Sequence, residues 1–131
     1  MSVSSKFKGI LIVEDEEEIR ELMSYRLKKL GYRVICCDNV TEALKICDKQ
    51  RFGCIILDYQ LSKGGTGDQV VTALRKNMDG LNYATPLLMI SAHLSAEIVS
   101  FLALHINSAL VKPFDFTVFV ERVKQLCPLV D

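Results

Sequence analysis

An α/β domain with a doubly wound (βα)5 arrangement and a five-stranded parallel sheet is predicted from three observations. Short continuous apolar runs recur along the chain, segments with helical spacing separate them, and polar side chains follow directly on most of the runs. Continuous rather than alternating runs are what strands covered on both faces require, and parallel sheets are covered in that way. Strand and helix alternate five times, and right-handed crossovers wind such a chain into one sheet with helices on both faces. A length of 131 residues supplies one core but not two. No repeat, low-complexity tract or linker divides it, so one compact domain over residues 1–131 is expected.

The elements follow in order. Ile10 to Val13 is the first strand. Ile19, Leu22, Met23, Arg26, Leu27 and Leu30 form one helical stripe, closed by Gly31 as a C-terminal stop. Arg33 to Cys37 is a weaker apolar run. Val40 to Lys49 reads as the second helix, with Ala43, Leu44 and Cys47 inward. Cys54 to Leu57 is the third strand, and Val70, Val71, Leu74 and Met78 mark the third helix. Leu87 to Ile90 precedes a fourth helix carrying Ile98, Phe101, Leu102 and His105. Ala109 to Val111 is the last strand. Asp115 reads as the N-cap of a fifth helix bearing Val118, Phe119, Val123 and Leu126, which Pro128 ends.

Composition excludes several classes of function. Lys and Arg total 16, as do Asp and Glu, so the formal net charge is zero and the usual motive for nucleic-acid binding is absent. Half of the residues are hydrophobic, which argues against disorder. The apolar runs are too short to span a bilayer, and residues 1–8 do not read as a signal peptide. Cys36, Cys37, Cys47, Cys54 and Cys127 are odd in number and contain no Cys-x-x-Cys pair. Reduced, mostly buried thiols are therefore expected, rather than a disulfide framework or a zinc site.

The strand ends carry the chemistry. The first strand ends in Glu14-Asp15, the third in Asp58, the fourth in Ser91 and the fifth in Lys112-Pro113. In doubly wound sheets, sites collect at the carboxyl ends of the strands. Three carboxylates brought together repel one another, and a hard divalent cation with oxygen ligands resolves that conflict. A carboxylate can attack phosphorus to give an aspartyl phosphate, and the transferring group needs positive charge and donors around its oxygens. Magnesium, the Lys112 ammonium, the Ser91 hydroxyl and nearby backbone N–H groups would meet that need.

Taken together, Ile10-Leu11-Ile12-Val13-Glu14-Asp15-Glu16, Ile55-Ile56-Leu57-Asp58, Met89-Ile90-Ser91-Ala92 and Val111-Lys112-Pro113-Phe114 resemble the receiver domains of bacterial response regulators. The resemblance covers a core of about residues 8–127. It implies a flavodoxin-like strand order 2-1-3-4-5 and a cytoplasmic module with no output domain in this chain. It implies that Asp58 accepts a phosphoryl group from a phosphohistidine on a sensor histidine kinase or a histidine phosphotransfer protein. Such a module is no enzyme beyond its own magnesium-dependent phosphorylation and dephosphorylation. The resemblance also assigns Mg2+ to Asp15, Asp58 and the main-chain carbonyl of Gln60, with Glu14 acting through water. Ser91 and Lys112 would contact the phosphoryl group, and the Lys112–Pro113 peptide would be cis. Signalling would run to a downstream protein, or to a second copy, through the face of the fourth helix, fifth strand and fifth helix.

Two departures stand out. Ala109 occupies the position where the family generally carries Tyr or Phe, and His105-Ile106 replaces the usual Gly-Ala, so the aromatic half of the family's switch cannot operate in its usual form. The segment Tyr59 to Gly67 lacks the common Pro and places Gly67 one residue later, which suggests a longer loop; its glycines are turn material rather than a phosphate cradle. Gln60 and His93 occupy positions that tune water access to the aspartyl phosphate in the family, although His93 also suits a plain surface role. Glu16, Glu17 and Glu18 read as solvated acids in the first turn of a helix, favoured by its dipole.

Other functions fit less well. A flavodoxin-like cofactor binder is disfavoured because the acids after the first strand would repel an unchelated phosphate. A haloacid-dehalogenase-type phosphohydrolase is disfavoured because Gln60 stands where the second Asp is needed. A phosphorylation-independent receiver serving as an interaction or dimerisation scaffold is the remaining alternative, suggested by Ala109 and the altered loop. The fourth helix has Glu97 as its one charged residue between Ala96 and His105. Val99, Ala103 and Leu104 are left to face solvent or a partner.

Overall fold

The structure, a computed structural model, describes residues 9–62, 64–93 and 95–129, the side chains of residues 97, 101 and 102 excepted. The N-terminal run 1–8 and the inward placement expected for Phe101 and Leu102 lie outside the described residues. Five strands and five helices alternate: β1 (Gly9–Val13), α1 (Glu17–Lys29), β2 (Arg33–Cys37), α2 (Val40–Lys49), β3 (Cys54–Asp58), α3 (Gly67–Lys76), β4 (Leu87–Ser91), α4 (Ala96–Ala103), β5 (Ser108–Val111) and α5 (Phe116–Leu126). All strand pairs are parallel, in the order β2-β1-β3-β4-β5.

The continuous apolar runs divide between two cores by strand alternation. Leu11, Val13, Ile55, Leu57, Leu87 and Met89 face one layer, where α2 and α3 deliver Ala43, Cys47, Val70, Val71 and Leu74. Ile10, Ile12, Cys54, Ile56, Leu88 and Ile90 face the other, against Met23 and Leu27 of α1 and Phe119 and Val123 of α5. Every residue of β3 and β4 is buried, as central strands demand. The weaker apolar run is the edge strand β2, with Arg33 and Cys36 exposed. Cys47, Cys54 and Cys127 are buried and Cys37 is partly buried.

The helix ends follow from local chemistry. Asn39 accepts a hydrogen bond from the Glu42 amide at 2.9 Å, and Asp115 caps α5 through the Thr117 amide at 2.6 Å. Gly31 ends α1 with φ +106°, a conformation that costs glycine little. The expected stripes were too wide. Leu22, Leu30 and Val118 are more than a third exposed, and Met78 lies beyond α3 with 75 % of its surface exposed. On α1 and α5 about one buried position per turn or fewer fills the space over the sheet, and apolar residues beside them stay at the margin. The long α3–β4 connection is organised by buried Asn82. Its side chain accepts from Phe52 N (2.9 Å) and Thr85 Oγ1 (2.8 Å) and donates to the carbonyls of Cys47 (2.8 Å) and Gln50 (2.9 Å).

Candidate functional site

The sheet register places the site residues on one edge. Val13 pairs with Leu57, Asp58 with Ile90 and Ser91 with Val111, so Glu14, Asp58, Ser91 and Lys112 end up at the carboxyl ends of neighbouring strands. Hydrogen bonds carry the ladder past the strand ends: Glu14 N to Cys37 O (3.1 Å), Tyr59 N to Ile90 O (2.8 Å) and Lys112 N to Ser91 O (2.8 Å). The main chain at the site is thus held by the sheet itself. Behind Asp58, a Cβ on Gly67 would lie 2.5 Å from the Asp58 carbonyl oxygen, so only glycine permits this approach of the β3–α3 loop.

Lys112 is the hub. Its Nζ lies 2.8 Å from Glu14 Oε1, 3.0 Å from Asp58 Oδ2 and 3.2 Å from Glu16 Oε1. Burial opposes the lysine's charge, but bonding to Glu14 and Asp58 outweighs it and raises its pKa. Glu14 is pushed the other way. Burial, then the hydrogen bond and charge of Asp58, raise its carboxyl to about 7 despite Lys112. The ammonium approaches Glu14 Oε1 within ion-pair distance but off hydrogen-bond geometry, which leaves that buried oxygen without a hydrogen bond. Asp58 Oδ1 accepts from the Gln60 amide at 3.3 Å.

Not every expected residue joins this centre. Ser91 is buried, but its hydroxyl donates to the His93 carbonyl at 2.7 Å and accepts from the His93 amide at 3.2 Å. His93 itself is exposed. Asp15 turns to the β3–α3 loop, where its Oδ2 accepts from the Ser62 amide at 2.7 Å. Gln60 is exposed and lines a cleft of about 280 Å3 with Asp15, Asp58, Ser62 and Lys112. Ala109 packs against the core shared with α2 and α3, and Arg122 Nη1 donates to its carbonyl at 3.1 Å. The Lys112–Pro113 peptide is cis.

Glu16 was read as solvated, and its side chain is 60 % exposed, yet its carboxylate reaches Lys112. Ser62 and Gly67 were also missed as parts of the site. Only the absent Pro and the displaced glycine hinted at them. A larger cavity of about 490 Å3 lies at the opposite edge of the sheet, lined by Phe52, Met78, Tyr83, Pro86 and Leu126. It holds none of the carboxylates and is remote from Lys112.

The geometry agrees with the comparisons. The response regulator receiver domain model matches residues 10–124. The chain belongs to that family. It is 33% identical over 105 residues to the sensor histidine kinase AruS of Pseudomonas aeruginosa, covering 79% of this chain and 10% of AruS. It is 34% identical over 118 residues to the transcriptional regulatory protein PcoR of Escherichia coli, covering 89% of this chain and 50% of PcoR. The chain thus spans half or less of these relatives. Among solved structures, the response regulator TrrA of Thermotoga maritima, in complex with Mg(2+)-BeF, superposes with a TM-score of 0.77. It shares 30% identity, over 92% of this chain and 99% of that one. Among the described residues of the receiver, no helix is long and apolar enough to cross a membrane.

The oxygen donors suit a hard divalent cation. Carboxylate oxygens of Glu14, Glu16 and Asp58 all lie within 4.8 Å of one another, and the buried Glu14 Oε1 has no hydrogen bond to satisfy it.

Proposed function

We propose that Asp58 is the phosphoacceptor of this receiver and takes its phosphoryl group from a phosphohistidine on a sensor histidine kinase or histidine phosphotransfer protein. The observation that carries this reading is the Lys112 ammonium set 3.0 Å from Asp58 Oδ2, across the carboxyl end of β4, which separates β3 from β5. An Asp58 carboxylate oxygen attacks phosphorus, the P–N bond to the donor imidazole breaks, and the imidazole nitrogen takes up a proton. Lys112 holds the attacking carboxylate before transfer and faces the new phosphoryl oxygens afterwards. For Ser91 to donate to the phosphoryl group, its hydroxyl must leave the His93 carbonyl. Asp15, Asp58 and the Gln60 carbonyl would hold Mg2+, with Glu14 acting through water; bound there, the ion would neutralise charge on the transferring oxygens.

The module would act in the cytoplasm and catalyse only its own phosphorylation and dephosphorylation. Val99 on α4, Leu104 just beyond it, Val111 on β5 and Val118 on α5 expose apolar surface, which supports docking of a downstream protein or a second copy there. The scaffold alternative is less well supported. Burying Asp58 and Glu14 beside a lysine is costly, and a surface used only for contact has no need of it.

Transfer of labelled phosphate from a phosphorylated histidine phosphotransfer protein tests the proposal. Wild type should acquire label and Asp58→Asn should not. Equal labelling of the variant would overturn the assignment.

A further inference from the structure

The carboxylate of Glu16 has no role in the transfer step, yet it is tied to the centre where transfer takes place. Its Oε1 accepts a hydrogen bond from Lys112 Nζ at 3.2 Å. Glu16 is the N-cap of α1, where a side-chain oxygen ordinarily takes up an amide of the first turn, but this carboxylate makes no such bond. The main chain of Glu16 is fixed from two sides. Its N–H donates to Glu14 Oε2 at 3.2 Å, and its carbonyl accepts from Arg20 N at 2.9 Å, the opening hydrogen bond of the helix. The start of α1 thus sets the residue in place and leaves its side chain to reach the end of β5.

Three carboxylates surround the Lys112 ammonium, and they differ in their access to solvent. The side chains of Glu14 and Asp58 are 1 % and 6 % exposed, whereas that of Glu16 is 60 % exposed. Glu16 also lines the cleft of about 280 Å3 that holds Asp58 and Lys112, so a phosphodonor entering this cleft meets it. An ammonium has three N–H donors, and the bonds to Asp58 Oδ2 and Glu16 Oε1 occupy two of them. An incoming anion therefore finds a cation already shared with Glu16 and a negative charge at the same opening. The opposition grows with the charge that the donor brings.

We propose that Glu16 is a positioning residue that holds Lys112 from the solvent side and makes the site selective for phosphodonors of low net charge. In donors with a P–N bond, phosphohistidine among them, the nitrogen can carry a proton that offsets part of the phosphoryl charge. An acyl phosphate has no such proton, so Glu16 disfavours acyl phosphates relative to P–N donors. The inference rests on the reading of Asp58 as the phosphoacceptor given above.

The test is the initial rate of phosphorylation of the full chain, followed by intact mass at saturating magnesium chloride over a range of donor concentrations. Acetyl phosphate, with about two negative charges near neutral pH, is compared with phosphoramidate, a P–N donor with about one. Both give the same phosphoryl group to Asp58, acetate leaving from the first and ammonia from the second. Glu16→Gln keeps an acceptor for Lys112 and removes the charge. It should raise the second-order rate constant about threefold with acetyl phosphate and by less with phosphoramidate. Raised ionic strength should close the gap to wild type. Glu17→Gln removes an equal charge from the exposed residue next in sequence and should leave the ratio between the two donors as in wild type. A merely structural contact does not sort donors by charge. A ratio unchanged in Glu16→Gln, or changed as much in Glu17→Gln, would therefore overturn the role of Glu16 alone. No phosphoryl gain by wild type with either donor would overturn the phosphoacceptor reading and this inference with it.

Discussion

Glu14 and Asp15 are neighbours in sequence with opposite electrostatic fates, and the difference is one of burial. Glu14 points into the sheet edge at 1 % exposure, where desolvation raises its carboxyl to about 7, while Asp15 meets the Ser62 donors and is lowered. The signs give a prediction. Unfolded Glu14 loses its proton near 4.5, but the folded protein keeps it to about 7, so stability falls as pH rises through that window and levels off above it. Asp15 works the other way, adding stability above its unfolded value of 3.8 that is lost as pH falls through its lower folded value. Urea midpoints at pH 5 and pH 8 should therefore differ in wild type and converge in Glu14→Gln; an unchanged difference would contradict the assignment. Gly67 carries a second prediction. A Cβ there meets Asp58 O at 2.5 Å and Tyr59 Cα at 3.1 Å, main-chain atoms that cannot swing aside. Gly67→Ala should lower stability by roughly 2 kcal/mol and slow phosphorylation of Asp58; a urea midpoint like wild type would count against it. Glu14, Asp58, Ser91 and Lys112 were legible in the sequence because strand periodicity alone puts them on one edge. The hydroxyl direction of Ser91, the reach of Glu16 and the turn of Asp15 to Ser62 were not, because they depend on rotamers and loop path.

Elements were legible in proportion to their burial. β1, β3 and β4 are covered on both faces, so their apolar runs marked them to within a residue, while the edge strand β2 gave a weaker signal because it needs less cover. Helix faces were harder to read, since Leu22 or Val118 satisfies the period of a stripe without entering the core. The α3–β4 connection was not legible at all. No apolar pattern marks it, and polar side chains, Asn82 foremost, organise it. Asn82→Ala would strip partners from the Phe52 amide and the Cys47 carbonyl in a buried setting. The expected cost is roughly 2–4 kcal/mol, read as a lower urea midpoint with an unchanged slope; a loss under about 1 kcal/mol would mean that water replaces the amide. Arg75 supports the same loop by donating to the carbonyls of His105, Tyr83 and Thr85. It thereby ties the entrance of β5 to α3, near the position where Ala109 stands in place of a ring.

At the scale of the whole molecule, the function proposed above places chemistry and docking on different parts of the fold. The carboxyl edge of the sheet carries the acids and Lys112, while Val99 on α4, Leu104 just beyond it, Val111 on β5 and Val118 on α5 are exposed. If that face joins two copies, wild type should sediment as a concentration-dependent dimer and Val99→Glu as a monomer. A monomer in both would count against dimerisation through this face. On the function proposed above, with Ala109 where the family generally carries an aromatic residue, a signal to this face would run through the Ser91 hydroxyl, Lys112 and the Ala109 carbonyl held by Arg122. Everything in this account depends on Asp58 being a competent acceptor. Intact mass after incubation with a small phosphodonor measures that directly, with and without magnesium, on wild type and Asp58→Asn. The account predicts a gain of one phosphoryl group in wild type that requires magnesium and is absent from the variant. A gain that persists in Asp58→Asn, or no gain with any donor while magnesium binds, would contradict it.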